Sequence, residues 1–201
     1  MSKEVRSGRV ALLAALALSV SACAGTIKNM HEVAPGSPEP KPAPGKALII
    51  FMRPSGFGYA FQSSVFAMKD KNPEFVGILA AKAKVAWQVD PGQHLFMVVG
   101  ESGDFMTAEV EPGKTYFALV TPRMGMWKAR FSLAPVSAES LGSQEFAGWL
   151  SDCRWVEKEQ TSEAWYRETL PDIRSRYDQY YPEWMQKPEA ERPRLKVADG
   201  R

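Results

Sequence analysis

The sequence predicts a mainly β protein, an antiparallel β-sandwich of about eight strands with a helical C-terminal extension packed on it. Two observations predict the sandwich. An acid-Pro-Gly phrase followed by an apolar run occurs twice, at 89–99 and at 110–120, and turn-forming residues recur along the whole region at the spacing typical of short strands. A third observation predicts the helices. After Ser137 the apolar residues recur every third or fourth position instead of every second.

The two corners are Asp90-Pro91-Gly92 and Glu111-Pro112-Gly113. Proline presets φ for the second position of a turn, and glycine accepts the positive φ of the third position, so both corners predict type II turns. Each corner therefore joins two short strands.

Composition places the chain among ordinary globular proteins, at 201 residues with 45% hydrophobic and 24% charged residues. The net charge of +2 comes from the N-terminus, which has three basic residues, Lys3, Arg6 and Arg9, and one acidic residue, Glu4. The rest of the chain carries equal numbers of basic and acidic residues, which argues against a nucleic-acid surface.

Residues 1–22 are predicted to be a lipoprotein signal peptide. A basic start precedes the apolar run 10–18, which is too short to span a bilayer as a helix. The following Val20-Ser21-Ala22-Cys23 resembles the lipobox of bacterial lipoproteins. That resemblance implies cleavage before Cys23, a diacylglycerol on its thiol and an acylated amine, which together bind the lipid bilayer stably. The alternative is an ordinary signal peptide in which Cys23 is incidental.

The sorting rule of enteric lipoproteins implies the outer membrane, facing the periplasm, because Ala24 rather than Asp follows Cys23. Residues 23–45 are rich in proline and are predicted to be a tether in extended polyproline II conformation, a semi-rigid spacer of about 3.1 Å per residue. A plain disordered leader is the alternative.

The β-sandwich domain is predicted over residues 46–136. Its first strand, 47–52, is apolar at every position, which is typical of a strand covered on both faces, and Arg53-Pro54 ends it. Further strands, separated by Gly, Pro, Asn and Asp turns, are predicted at 64–69, 75–80, 85–89, 95–99, 105–110, 116–121 and 127–136.

The run 48–55 (LIIFMRPS), together with the two Pro-Gly corners, resembles the bacterial domain of unknown function 2846 over about residues 46–136. That resemblance implies a small β-sandwich that often occurs in lipoproteins, and it brings no catalytic residues. The corners are also similar to those of PEGA-type surface modules.

Residues 137–186 are predicted to form the helical extension. A second helical stretch starts at Ser162, and Pro171 is expected to kink or restart it. Residues 187–201, charged and proline-containing, are predicted to be a loose tail. The first helix has one apolar stripe at i, i+3, i+4 and i+7, namely Phe146, Trp149, Leu150 and Cys153.

Little in the sequence indicates catalysis. His31 and His94 lie far apart without further ligands at metal spacing, so no metal and no cofactor is expected. Cys153 is predicted to be a buried core residue that forms no disulfide with Cys23.

Two aromatic and Met-rich loops, each next to an arginine, are the candidate binding surface for a peptide or glycan. The alternative is that they seat the C-terminal helices against the sheet. The residues are Phe57, Tyr59 and Phe61 with Arg53 in one loop, and Met124, Met126 and Trp127 with Arg123 in the other.

The sequence thus favours an envelope lipoprotein that is not an enzyme but a binding or structural module, with an envelope protein, peptide or glycan as partner. The alternative is a hydrolase of envelope polymers that uses paired carboxylates, Asp90/Glu111 or Asp152/Glu157. The turn geometry accounts for Asp90 and Glu111 without catalysis.

The lipobox leads to a direct prediction. A labelled fatty acid fed to bacteria that express the full-length chain should be incorporated into the protein, and Cys23→Ser should abolish incorporation because the acyl acceptor is lost. Equal labelling of both chains would contradict a lipid anchor at Cys23.

Overall fold

The computed structural model describes residues 27–124 and 130–201. Within them the chain forms eleven strands and two α-helices. The strands are β1 (Met30–Glu32), β2 (Ala47–Arg53), β3 (Ser63–Lys69), β4 (Asn72–Leu79), β5 (Ala83–Val89), β6 (Gly92–Val99), β7 (Gly103–Val110), β8 (Thr115–Arg123), β9 (Arg130–Pro135), β10 (Arg154–Lys158) and β11 (Arg194–Leu195). The helices are α1 (Gln144–Asp152) and α2 (Thr161–Gln186), with short 3-10 turns at Ala138–Gly142, Glu189–Glu191 and Val197–Asp199.

The strands form two packed sheets. The first sheet has the order β1-β10-β5-β2-β8-β9, and the second has the order β11-β7-β6-β3-β4. Most neighbours are antiparallel, while β2–β8, β5–β10 and β7–β11 are parallel pairs. The predicted mainly β sandwich with a packed helical extension is confirmed. At both Pro-Gly corners the glycine has a positive φ, 119° at Gly92 and 77° at Gly113, as the motif predicts.

Strand β2 is buried at all seven positions. Because side chains alternate across a strand, Ala47, Ile49 and Phe51 enter the core between the sheets, where the Phe51 ring lies 5.1 Å from that of Phe96. The other face, at 48, 50 and 52, packs under α1. Burial on both faces explains the uninterrupted apolar run.

Helix α1 covers the outer face of the first sheet. Its N-cap is Ser143, whose Oγ accepts from the Phe146 N–H at 3.1 Å. The Phe146 ring meets Phe117 edge-on at a centroid distance of 4.8 Å. Cys153, which follows the helix, is buried in the same cluster with its thiol free.

Helix α2 covers the outer face of the second sheet. Phe105 pairs with Met97, the neighbour of Phe96, and so points away from the first sheet. Its ring contacts Tyr177, Tyr181 and Trp184 of α2. Pro171 was expected to kink or restart the helix; it does not restart it, because α2 is continuous through both Pro171 and Pro182. This aromatic packing offsets the hydrogen bonds that the prolines remove.

The segment expected to be a tether differs from the prediction. Ile27 and Met30 are buried in the main core, and β1 pairs with β10, a strand that the sequence analysis did not predict. Residues 33–46, here called the strap, are held by the Gln88 amide, which accepts from Ala43 N at 3.0 Å and donates to Lys41 O at 2.8 Å. The described part of the leader therefore docks on the domain.

The expected loose tail also packs on the fold. Leu195 in β11 is fully buried and pairs beside β7. Backbone bonds between Arg201 and Thr115, 2.8 and 3.1 Å long, fasten the C-terminus to the first sheet. None of the helices in the described ranges is long and apolar enough to cross a membrane.

The packing of α1 leads to a stability prediction. Phe146→Ala should lower the free energy of unfolding by about 3–5 kcal/mol, because it empties a buried aromatic site. Trp149→Ala should cost clearly less, since Trp149 is only partly buried. Urea unfolding of the Cys23→Ser chain measures both, and a silent Phe146→Ala would show that α1 does not contribute to the core.

Candidate functional site

The predicted surface loops are largely exposed. Phe57, Tyr59, Phe61 and Met124 have relative exposures of 53%, 80%, 43% and 83%. The main contacts of the helices lie elsewhere, since α1 rests on Phe117 and α2 on Phe105, while Phe61 lines a groove that it shares with α2. Met126 and Trp127, like Cys23 and the signal peptide, lie outside the described residues.

Residues 54–62, here called the aromatic loop, and Met124 lie at the same end of the first sheet. The parallel strands β2 and β8 are in register, with Met52 beside Leu119, and therefore end on the same side. The aromatic loop follows β2, and Met124 follows β8. The Arg53 guanidinium lies 4.8 Å from the ring centre of Phe131, which comes just after the second loop.

Arg53 was predicted to be on the surface, but it is fully buried. Its guanidinium donates to the carbonyls of Phe61 at 2.6 Å, Gly58 at 2.8 Å and Phe57 at 3.0 Å. Burial lowers the pKa of Arg53 to about 10, so the group stays charged at neutral pH. The charge orders the aromatic loop through its backbone and leaves the aromatic side chains outside.

Arg123 is half exposed and forms an ion pair. Its Nη2 lies 3.1 Å from Oδ2 of Asp104, a buried carboxylate in β7 whose other oxygen lies 3.6 Å from Lys187 Nζ. Arg123 therefore joins the first sheet to the second at the same end as Arg53.

A cleft of about 540 Å³ opens at the other end of the second sheet. Its floor is a row of three paired residues on the outer face, Met68, Leu95 and Thr107 from β3, β6 and β7. One wall is the last part of α2. The charged residues around it have both signs, namely Asp70, Lys71, Glu109, Glu189, Arg192 and Arg194.

Three aromatic side chains form the α2 wall of the cleft. The Tyr177 and Tyr181 rings are stacked at 4.8 Å, and the Tyr181 and Trp184 rings at 6.0 Å. The Trp184 indole N–H and the Arg192 Nε are buried without a hydrogen-bond partner among the described residues. Both atoms are shielded from solvent, so a ligand in the open cleft meets the rings of this wall and not these two donors.

Strand β3 separates the aromatic loop from the cleft. Ser63 begins β3 directly after the aromatic loop, and Met68 and Lys69 end it at the cleft. Seven residues of strand span about 20 Å. The aromatic loop and the cleft therefore lie at opposite ends of the second sheet.

Three of the four carboxylates considered for hydrolysis form ion pairs with lysines. Bonding to Lys46 at 2.6 Å lowers the pKa of Asp90, whereas a general acid needs a raised pKa. Glu111 pairs with Lys114 at 2.8 Å and Asp152 with Lys82 at 2.7 Å, while Glu157 lies 3.8 Å from the His31 ring nitrogen. No cluster of three or more metal-ligating side chains occurs in the described ranges.

Sequence reasoning did not predict the cleft, although the regular spacing of the residues in its α2 wall can be recognised in the sequence. Tyr177, Tyr181 and Trp184 follow helical spacing, which by itself is typical of core packing. The floor and the tail residues come from segments far apart in the chain.

Comparison with known proteins finds no matching protein-family model and no matching curated protein. The resemblance to the domain of unknown function 2846 therefore stays a prediction.

Arg53 can be tested by a conservative change. Arg53→Lys keeps a charge but cannot bond three carbonyls at once. A hydrogen bond from a charged donor is worth about 1.5–3 kcal/mol. The loss of one such bond should raise the fraction of molecules in which the aromatic loop is unfolded by roughly ten- to a hundredfold. Chymotrypsin should then cut after Phe57, Tyr59 or Phe61 faster by that factor.

The matched control is Arg167→Lys on the exposed side of α2, which should leave cleavage in the aromatic loop unchanged. An Arg53→Lys chain that resists cleavage as well as the wild type would show that the loop is ordered by other contacts.

Proposed function

We propose that this protein is a lipid-anchored lipoprotein of the bacterial cell envelope whose domain binds a short peptide segment of another envelope component without chemical turnover. The observation that carries the binding role is the cleft between α2, the tail and the second sheet.

The make-up of the cleft supports this role. It has an apolar floor, an aromatic wall and a charged rim, the arrangement found at ligand sites and in the centre of protein interfaces. Trp184 and Tyr181 line the cleft together with Arg192 and Arg194. Tyrosine, tryptophan and arginine are also the residues that contribute most to binding at interfaces.

A peptide fits the cleft better than a neutral glycan. The rim carries both signs of charge, with Lys71 and Arg192 against Asp70 and Glu189. Such a rim complements a chain that itself carries both signs. The volume, about 540 Å³, lies within the usual range for ligand pockets.

The anchor and location rest on the N-terminal sequence. The basic start, the short apolar run and Val20-Ser21-Ala22-Cys23 together favour a lipid on Cys23. Ala24 after the cysteine favours the outer membrane, with the domain in the periplasm. Ion pairing of three of the four candidate carboxylates with lysines favours binding over hydrolysis.

A photo-crosslinking residue in place of Gln93, an exposed residue that lines the cleft, tests the binding role in living cells. The matched control is Gln144, an exposed glutamine at the start of α1. We expect an adduct from position 93 that protease digests, and none from position 144. Its yield should fall in a Tyr181→Ala background, because the aromatic wall is then incomplete.

Two outcomes would contradict the proposal. Equal crosslinking from positions 93 and 144 would show that the cleft has no specific partner. An adduct that resists protease but is released by a glycan-cleaving enzyme would identify a glycan as the ligand instead of a peptide.

A further inference from the structure

We propose that the aromatic loop docks onto the surface of the bilayer that holds the lipid anchor, so that the domain stands on the membrane with its cleft directed away from it. This inference rests on the proposed lipidation of Cys23, and it assigns a partner to a surface that the peptide-binding role leaves unused.

The length of chain between the anchor and the fold is the first argument. Ile27 is buried in the core, and only Ala24, Gly25 and Thr26 separate it from Cys23. In any conformation, these few residues reach at most about 14 Å. Because the strap is docked on the domain, it cannot act as a spacer.

The place where the chain enters the fold is the second argument. The Lys28 N–H donates to the Gln62 side chain at 3.2 Å, and Gln62 follows Phe61 directly. The lipid on Cys23 therefore lies within reach of the side of the domain that carries the aromatic loop. The bilayer is the surface that this geometry brings to the loop.

The side chains at this end suit a membrane surface. Five large hydrophobic side chains are exposed in the described ranges, and all but Met185 lie in the two loops at the Arg53 end. Phe and Tyr on a loop tip pack well among lipid headgroups and upper acyl chains. Lys28 is exposed beside them, and a cation near the surface is attracted by anionic lipids.

Arg53 makes the loop ready for docking. Its three carbonyl bonds fix the backbone of the aromatic loop before contact. Little conformational entropy is then lost on docking. The exposed aromatic side chains of the ordered loop add no packing to the isolated fold. At a bilayer the same side chains gain apolar contact.

Fluorescence quenching on the full-length protein, purified from bacterial membranes, tests the inference. An environment-sensitive fluorophore is attached at Tyr59→Cys, or as matched control at Met185→Cys beside Trp184. The only other unmodified thiol would be Cys153, which is buried and whose pKa is raised to about 11, so it reacts slowly at neutral pH. Protein is reconstituted into vesicles of phosphatidylethanolamine and phosphatidylglycerol that contain a nitroxide-labelled lipid.

We expect a blue shift and loss of emission at position 59 and neither at position 185. Mass spectrometry of the N-terminal peptide shows in the same samples whether Cys23 is acylated. An acylated protein whose probe at 59 stays unquenched overturns the docking and leaves the anchor intact. Equal quenching at both positions overturns the orientation, and an unacylated chain overturns the anchor and the docking together.

Discussion

The packing of both sheets and of α1 depends on the burial of β2 on both faces. One face packs against the second sheet through contacts such as Phe51 with Phe96, and the other packs under α1. A strand without a solvent face must be covered twice, so the second sheet and α1 are both required by the same seven residues. Arg53 is the last of these residues. Its buried charge is stabilised by the carbonyls of the aromatic loop, so the position of that surface loop also depends on β2.

This constraint divides the molecule into two ends with different chemistry. At one end lie the aromatic loop, Met124 and the entry of the chain at Lys28. At the other lie the cleft and its aromatic wall, with β3 connecting the two. The docked strap replaces a long spacer by a short link between Cys23 and Ile27. In the proposed orientation the cleft faces away from the proposed anchor, on the side where the proposed periplasmic partner can reach it.

The sequence predicts the sandwich because alternation, the two Pro-Gly corners and the apolar run of β2 are local signals. It fails for β1, β10 and β11, which are two to five residues long and form through pairing with distant strands. The cleft is hidden for the same reason, since its floor and walls come from separate segments. Arg53 precedes a proline and reads as a surface residue, yet its partners are loop carbonyls, which leave no mark on side-chain patterns.

In the proposed arrangement the domain lies on the bilayer instead of being held above it. Neutron reflectometry of the full-length protein on a supported phospholipid bilayer measures this directly. We expect a protein layer that begins at the headgroups, because the chain between Cys23 and Ile27 reaches at most about 14 Å. A hydrated gap of tens of ångströms between headgroups and protein, as an extended Pro-rich spacer would give, would contradict it.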